Sequence, residues 1–285
     1  MEIVQFSKHF QELSVPAAAR AIFELGYDGV DLTVRPGGHV VPERVERDLP
    51  AAKRAIADHG LTLPMITTAL TAADQPDAEA TLATAAALGI AHVKTGYWPY
   101  RGFGDLRAQL DAARRQLDGL EALARKHGVR LGVHVHSGAY LTATAAGLAT
   151  LLADRDPRHV GAYLDPGHMA VEGGNNGWKQ SLDWLQSWVS LVALKDFGWF
   201  REGEGKAHWR AKVVPFRDGI VPWPEVFTCL RQIGFDGVFS VHSEYQGSGS
   251  WRDLTLPELI AQTRDDLAYL RPVMTAAGYR FRRGG

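Results

Sequence analysis

A single cysteine, Cys229, stands in a chain of 285 residues, so no intramolecular disulfide can form and a disulfide-stapled fold is excluded. It falls among Val226, Phe227, Leu230 and Ile233, an apolar helical pattern, and reads as a buried structural thiol rather than a nucleophile. No apolar run approaches the ~18 residues of a membrane span. No N-terminal stretch joins a basic region to an apolar one, so a cytoplasmic protein without a membrane partner is expected. A charge excess is missing too: the formal net charge is −1, which leaves no electrostatic footprint for nucleic acid. Arg280, Arg282 and Arg283 read as a frayed terminus rather than a binding arm. No low-complexity or Pro/Ser-rich linker interrupts the chain, so residues 1–285 are expected to form one domain. What is present is ordinary globular material, 46% hydrophobic and 22% charged, ample for a buried core.

Short apolar runs alternate with longer amphipathic stretches from end to end. The runs predict strands at Ile3–Ser7, Gly29–Val34, Leu63–Thr68, His92–Gly96, Arg130–His136, Ala162–Asp165, Leu191–Asp196 and Gly237–Glu244. Helices are predicted around 14–25, 43–59, 77–88, 105–127, 141–154, 179–187, 222–233 and 257–276. Gly26, Gly60, Gly89, Gly128 and Gly234 each follow a helical pattern, where a left-handed residue ends a helix at least cost. Ser14 and Asp105 stand at N-cap positions, with Pro16 in the first turn after Ser14. Eight strands alternating with eight helices give a single (β/α)₈ TIM barrel, an α/β fold whose strands, buried on both faces, need not alternate strictly. The longest irregular stretch, Phe197–Pro222, reads as a functional loop or as a passive insertion.

Residues i and i+2 share a strand face, so every second side chain of a barrel strand enters the lumen. By that count His134 and His136 face inward from strand five and Tyr163 with Asp165 from strand six. Lys195 does so from strand seven, and Ser240, His242 and Glu244 from strand eight. Imidazoles, carboxylates and an ammonium thus converge at the carboxyl end of one barrel. Burying them unpartnered costs several kcal/mol, which a metal or a polyhydroxylated ligand offsets. Lys8 and His9 after strand one, Arg35 after strand two, and Lys94, Tyr97 and Trp98 at the end of strand four either reach the same opening or are solvated loop groups. Trp199 and Trp209 in the long loop either stack on a sugar face or anchor the loop.

Several motifs then become familiar. Ala162-Tyr-Leu-Asp-Pro-Gly-His168-Met resembles the strand-six LDxxHM signature of the xylose isomerase-like sugar phosphate isomerase/epimerase superfamily. Leu194-Lys-Asp196 resembles its strand-seven HxKD. Val221-Pro-Trp-Pro-Glu-Val-Phe with Ile233-Gly-Phe-Asp-Gly237 is similar to its lead-in to strand eight, and Gly26-Tyr-Asp-Gly-Val-Asp31-Leu to its run into strand two. The likeness spans nearly the whole chain in order. It implies a divalent cation held by glutamate, aspartate, histidine and glutamate from strands five to eight, the glutamates also moving protons at a carbon next to a carbonyl. This chain keeps Asp165 but carries His134, Ala193 and His242 at the other three ligand positions.

Two outcomes follow for the cofactor. The first expectation is that His134, Asp165 and His242 bind a divalent metal completed by Glu244 or water; such a nitrogen-rich set suits Mn, Zn, Co or Fe better than Mg. The other is that the metal is gone and Lys195 with the histidines handles the charge. His134, His242, Glu244 and Lys195 are the expected catalytic groups. His136, His168, Trp199, Lys8 and Arg35 are the expected substrate contacts, His168 through the family resemblance and His136 also as a partner that orients His134. The activity expected is isomerisation or epimerisation of a keto-sugar or cyclitol. A lyase or dehydratase using the same enediolate is the runner-up, and a carbohydrate-binding barrel without turnover is a third reading. No glycine-rich phosphate cradle is evident near strands seven and eight, which favours an unphosphorylated ligand. A homo-oligomer is expected from the resemblance alone.

Overall fold

The computed structural model describes residues 1–203 and 208–283. Its strands are β1 (Glu2–Phe6), β2 (Gly29–Val34), β3 (Thr62–Thr68), β4 (His92–Lys94), β5 (Arg130–His134), β6 (Val160–Leu164), β7 (Val189–Leu194), β8 (Asp196–Glu202), β9 (His208–Val214) and β10 (Val238–Val241). The helices are α1 (Val15–Leu25), α2 (Val45–Ala57), α3 (Ala78–Ala87), α4 (Leu106–His127), α5 (Ala145–Leu152), α6 (Pro166–Leu185), α7 (Trp223–Gln232) and α8 (Leu256–Ala276). Strands β1 to β7 and β10 pair in parallel and close into a barrel in the order β1-β10-β7-β6-β5-β4-β3-β2. The eight barrel strands are those read from the sequence, and no helix among the described residues is long and apolar enough to cross a membrane.

Inside and outside alternate along each strand as the two-residue period requires. Leu191 and Ala193 of β7 join Val4, Met65, Tyr163 and Val238 in a small apolar cluster, while Val192 and Leu194 join the large one beneath the helices. The small cluster floors the lumen, and the polar residues of the same parity lie above it. Gly132 keeps that lumen open, because a Cβ there would lie 2.9 Å from Leu191 Cδ1. The five glycines expected to end helices all have positive φ, as at Gly26 (92°) and Gly128 (73°). Ser14 and Asp105 stand at the N-caps as expected, although neither side chain makes the capping hydrogen bond.

Three segments differ from the sequence reading. The long stretch after strand seven is not irregular: β8 and β9 form an antiparallel hairpin, Asp196 opposite Val214 and Glu202 opposite His208, with residues 204–207 of that stretch outside the described residues. The hairpin is rooted by Asp196, whose carboxylate accepts the Trp223 indole N–H (2.7 Å) and the Phe197 (2.8 Å) and Val221 (3.1 Å) amides. Gly219 closes against it, where a Cβ would come within 1.9 Å of Asp196 Cγ. Helix α6 begins at Pro166, well before the expected 179, because Asp165 caps it through the His168 amide (3.0 Å) and Pro166 occupies its first turn. The glycine- and asparagine-rich run Gly173–Gly177 hides this helix in the sequence, and Gly174 breaks its regularity at φ 60°, ψ −150°. Finally, β5 stops at His134 and β10 at Val241, so His136 and Glu244 sit in the turns just beyond the sheet. Cys229, expected buried, is free and partly buried against the core.

Candidate active site

Lys195, one residue past the end of β7, is 2% exposed and lies between two carboxylates. Its Nζ is 3.0 Å from Glu244 Oε1 and 3.4 Å from Asp165 Oδ2. Burial alone would favour the neutral amine; Glu244 and Asp165 outweigh it and hold the pKa above the usual lysine value. Burial likewise opposes the Glu244 anion, but Lys195 and His242 beside it pull the carboxyl well below its ordinary range. At neutral pH the pair is therefore an ammonium against a carboxylate.

Imidazoles surround this pair. The His134 ring stacks on Tyr163 at 4.4 Å, with Nε2 3.2 Å from Asp165 Oδ2 and Nδ1 2.9 Å from the Tyr97 hydroxyl. The partners assign the tautomer: Nε2–H donates to the carboxylate and Nδ1 accepts from the phenol. His242 accepts from the Tyr163 hydroxyl at Nε2 (3.0 Å), and its Nδ1 faces Glu244 Oε1 at 3.6 Å. His168 contacts Ser137 Oγ through Nδ1 (2.7 Å), and its buried Nε2 has no hydrogen-bond partner among the described residues. That nitrogen lies 3.8 Å from Asp165 Oδ2. His136 donates from Nδ1 to the Ser137 carbonyl (2.9 Å) and packs over His168 at 3.9 Å. Burial pushes all four imidazoles down, His136 to about 4, so they are neutral at pH 7.

The remaining expected residues divide. Lys8 comes within 3.9 Å of Glu244 Oε2, and the Arg35 guanidinium lies 5.8 Å from the Phe6 ring, itself 4.5 Å from His242. Both belong to the rim of the site. Lys94 is buried with Nζ 3.5 Å from the Tyr97 ring centre, and burial together with Arg35 drives its pKa well down. His9 is also buried, edge-on to Phe6 at 5.4 Å, and burial lowers its pKa. Trp98 instead packs into the core and donates to Gln116. Trp199 (46% exposed) and Trp209 (63%) point to solvent on the hairpin. Residues that the sequence reading passed over complete the lumen: Ser137, Tyr163 as a hydrogen-bonding group, and Asp31. Asp31 accepts from Thr67 (2.7 Å) and Ser240 (2.9 Å) and faces His242 Nε2 at 3.9 Å. The inward parity of Asp31 on β2 was the available signal.

The expected ligand set His134, Asp165 and His242 is not gathered around a common point. Among the described residues no group of three or more His, Cys, Asp or Glu side chains is placed to hold a metal ion. His134 Nε2 spends its proton on Asp165, His242 Nε2 meets Tyr163, and Ala193 supplies no donor. Between the carboxylates stands a lysine ammonium. The donor set as built does not fit a divalent cation.

With barrel and site in view, the comparisons have their place. Residues 19–273 match the Xylose isomerase-like TIM barrel family, and the chain belongs to it. No curated protein sequence is significantly similar to it. Among solved structures, apo 3-keto-D-glucoside 4-epimerase YcjR from E. coli superposes with a TM-score of 0.70 at 18% identity, covering 95% of this chain and 99% of that one. D-Psicose 3-epimerase from Clostridium cellulolyticum H10, solved with D-tagatose, gives 0.71 at 17% identity over 96% and 99%. The probable 3-DHS dehydratase AsbF from Bacillus anthracis gives 0.70 at 16% identity over 94% and 99%.

Proposed function

We propose that this barrel is an isomerase or epimerase that moves a proton at the carbon next to a carbonyl of a keto-sugar or cyclitol. The observation that carries this reading is the Lys195 ammonium fixed between Asp165 and Glu244, beside an imidazole nitrogen, His168 Nε2, that has no hydrogen-bond partner among the described residues. Glu244, ionised and 25% exposed at its side chain, takes the proton from carbon. The C–H electron pair moves into the new C=C bond, and the carbonyl π pair goes to oxygen. Lys195 donates a hydrogen bond to that oxygen as its charge grows, a donor already in place before reaction. Epimerisation is completed when the carbon accepts a proton from the histidine side, relayed by water at His168 Nε2. Glu244 releases the proton it took, so the protein is returned unchanged and the product carries one solvent proton. Isomerisation results instead when the hydroxyl proton of the enediolate passes to the former carbonyl oxygen, the new carbonyl forms at the deprotonated carbon, and the former carbonyl carbon accepts the proton.

His134 moves in this scheme from base to positioning residue, because both of its ring nitrogens are engaged. His242 orients Glu244, and Lys8 and Arg35 meet substrate hydroxyls at the rim. The structural neighbours include sugar 3- and 4-epimerases and a probable dehydratase, the same pair of chemistries that the sequence suggests, and both start from one deprotonation. The test is incubation with 3-keto-glucosides, ketohexoses and 3-DHS in D₂O, followed by NMR. Deuterium next to the carbonyl of recovered sugar, with an epimer or isomer present, supports the proposal. Loss of water from a substrate assigns the dehydratase reading, and no exchange with any of them refutes proton transfer on these classes.

A further inference from the structure

We infer that Lys195 stands in this barrel where a divalent cation would have to sit, so that the site works with a built-in ammonium and is closed to metal while that lysine is present. The inference rests on the proton-transfer reading for its catalytic half; its metal-binding half is read without any substrate.

Three observations support it. Asp165 Oδ2 is the acceptor on which the centre converges: Lys195 Nζ at 3.4 Å, His134 Nε2 at 3.2 Å and His168 Nε2 at 3.8 Å all reach this one atom. A cation bound to that oxygen would displace the ammonium or lie against it, and two positive charges at such separation repel strongly in a buried lumen. Glu244 holds the other side of the same ammonium at 3.0 Å, so Asp165 and Glu244 are joined by lysine. And the strand that carries Lys195 offers methyl-bearing Ala193 one inward position below, 0% exposed in the small apolar cluster, where an imidazole or carboxylate would be needed to add a ligand. What a metal would contribute at a developing oxyanion, fixed positive charge, Lys195 contributes from the same position.

The inference predicts the effect of deleting the amine. In Lys195→Ala, Asp165 and Glu244 lose their shared counter-charge while His134 and His242 remain alongside. Carboxylates and imidazoles are the donor types a transition metal takes, and with the ammonium gone these side chains are free to turn toward a common cation, which they do not surround as built. The experiment is calorimetric titration of chelator-treated protein with Mn²⁺, together with elemental analysis of protein produced in medium supplemented with Mn, Zn and Co. Wild type is expected to show no saturable Mn²⁺ site and substoichiometric metal. Lys195→Ala is expected to gain one saturable site at least a hundredfold tighter, abolished in the Asp165→Asn/Lys195→Ala double variant. Near-stoichiometric metal in the wild type, lost in Asp165→Asn, overturns the inference, and this arm decides even if Lys195→Ala does not fold. A folded Lys195→Ala that gains no Mn²⁺ site overturns the claim that the lysine is what closes the centre. Failure of every sugar to exchange deuterium would leave these metal results standing, so the two proposals fail separately.

Discussion

Replacing Asp266 by asparagine should remove that residue's own share of the pH dependence of stability between pH 4 and pH 8. Asp266 lies on α8, 2% exposed, and joins the helix to the turn that carries the site. Its Oδ1 accepts from Gln262 (3.1 Å) and the Phe216 amide (3.3 Å), and its Oδ2 meets the hydroxyl of Tyr245, the neighbour of Glu244. Burial raises its pKa from 3.8 to about 7, against the smaller pull of these hydrogen bonds. The protonated acid suits the site: it can donate to Tyr245, whose hydroxyl can turn to the Val214 carbonyl at 3.5 Å. Since the folded state holds this proton more tightly than the unfolded chain, its contribution is complete below the unfolded pKa. It is lost as pH rises through the folded value. At about 1.36 kcal/mol per pH unit the whole loss is about 4 kcal/mol, of which roughly 2 is gone by pH 5. Asparagine mimics the protonated acid, with its amide donating to Tyr245 and its oxygen accepting from Gln262 and Phe216. Urea unfolding of both proteins, followed by tryptophan fluorescence at pH 5 and pH 8, gives the comparison. The stability of Asp266→Asn relative to wild type should rise by about 3 kcal/mol between those two pH values. Parallel pH profiles would refute the reasoning.

Other substitutions test the partners of the site. Tyr97→Phe removes the phenol that Nδ1 of His134 accepts from and should cost about 1 kcal/mol of stability, measured by urea melts, because a buried imidazole nitrogen loses its donor. The same change should lower kcat more than it raises KM, since His134 positions Asp165 and touches no substrate in this account; the reverse split would make His134 a substrate contact. Trp199→Ala should leave kcat/KM within about twofold of wild type, as expected for a solvent-facing side chain. A tenfold loss would restore the sugar-stacking role that the sequence suggested.

Most of the architecture was legible because it follows from local periodicity. Parity along β5, β6, β7 and β10 directs His134, Asp165, Lys195 and His242 toward one lumen. It could not say which of these groups touch. Lys195 meets Asp165 from the neighbouring strand β6 and Glu244 from the turn after β10, contacts set by register across strands that sequence spacing does not encode. The β6–β7 register also shifts between Ala162 and Tyr163, a displacement without a sequence signal. The same gap bears on the expected ligand set: His134, Asp165 and His242 read as ligands one by one, whereas in the fold His134 also meets Tyr97, Asp165 meets Lys195 and His242 meets Tyr163. The hairpin was hidden by composition, its glycine, arginine and glutamate reading as loop, although Trp199 and Arg201 alternate outward with Gly198, Phe200 and Glu202 less exposed between them. Helix α6 was hidden by Gly173–Gly177, yet Asp165-Pro166 is a helix start in any context that lets the carboxylate reach the His168 amide.

Solvent deuterium exchange with wild type and Glu244→Gln side by side tests the central claim most directly. An unphosphorylated keto-sugar that wild type turns over should take up one deuterium next to its carbonyl. Glu244→Gln, which keeps a hydrogen-bonding side chain but cannot hold the proton, should lower the exchange rate by about a hundredfold or more while still binding the sugar. Exchange in Glu244→Gln at the wild-type rate would contradict the assignment of Glu244 as the base and with it the chemistry proposed for this lumen.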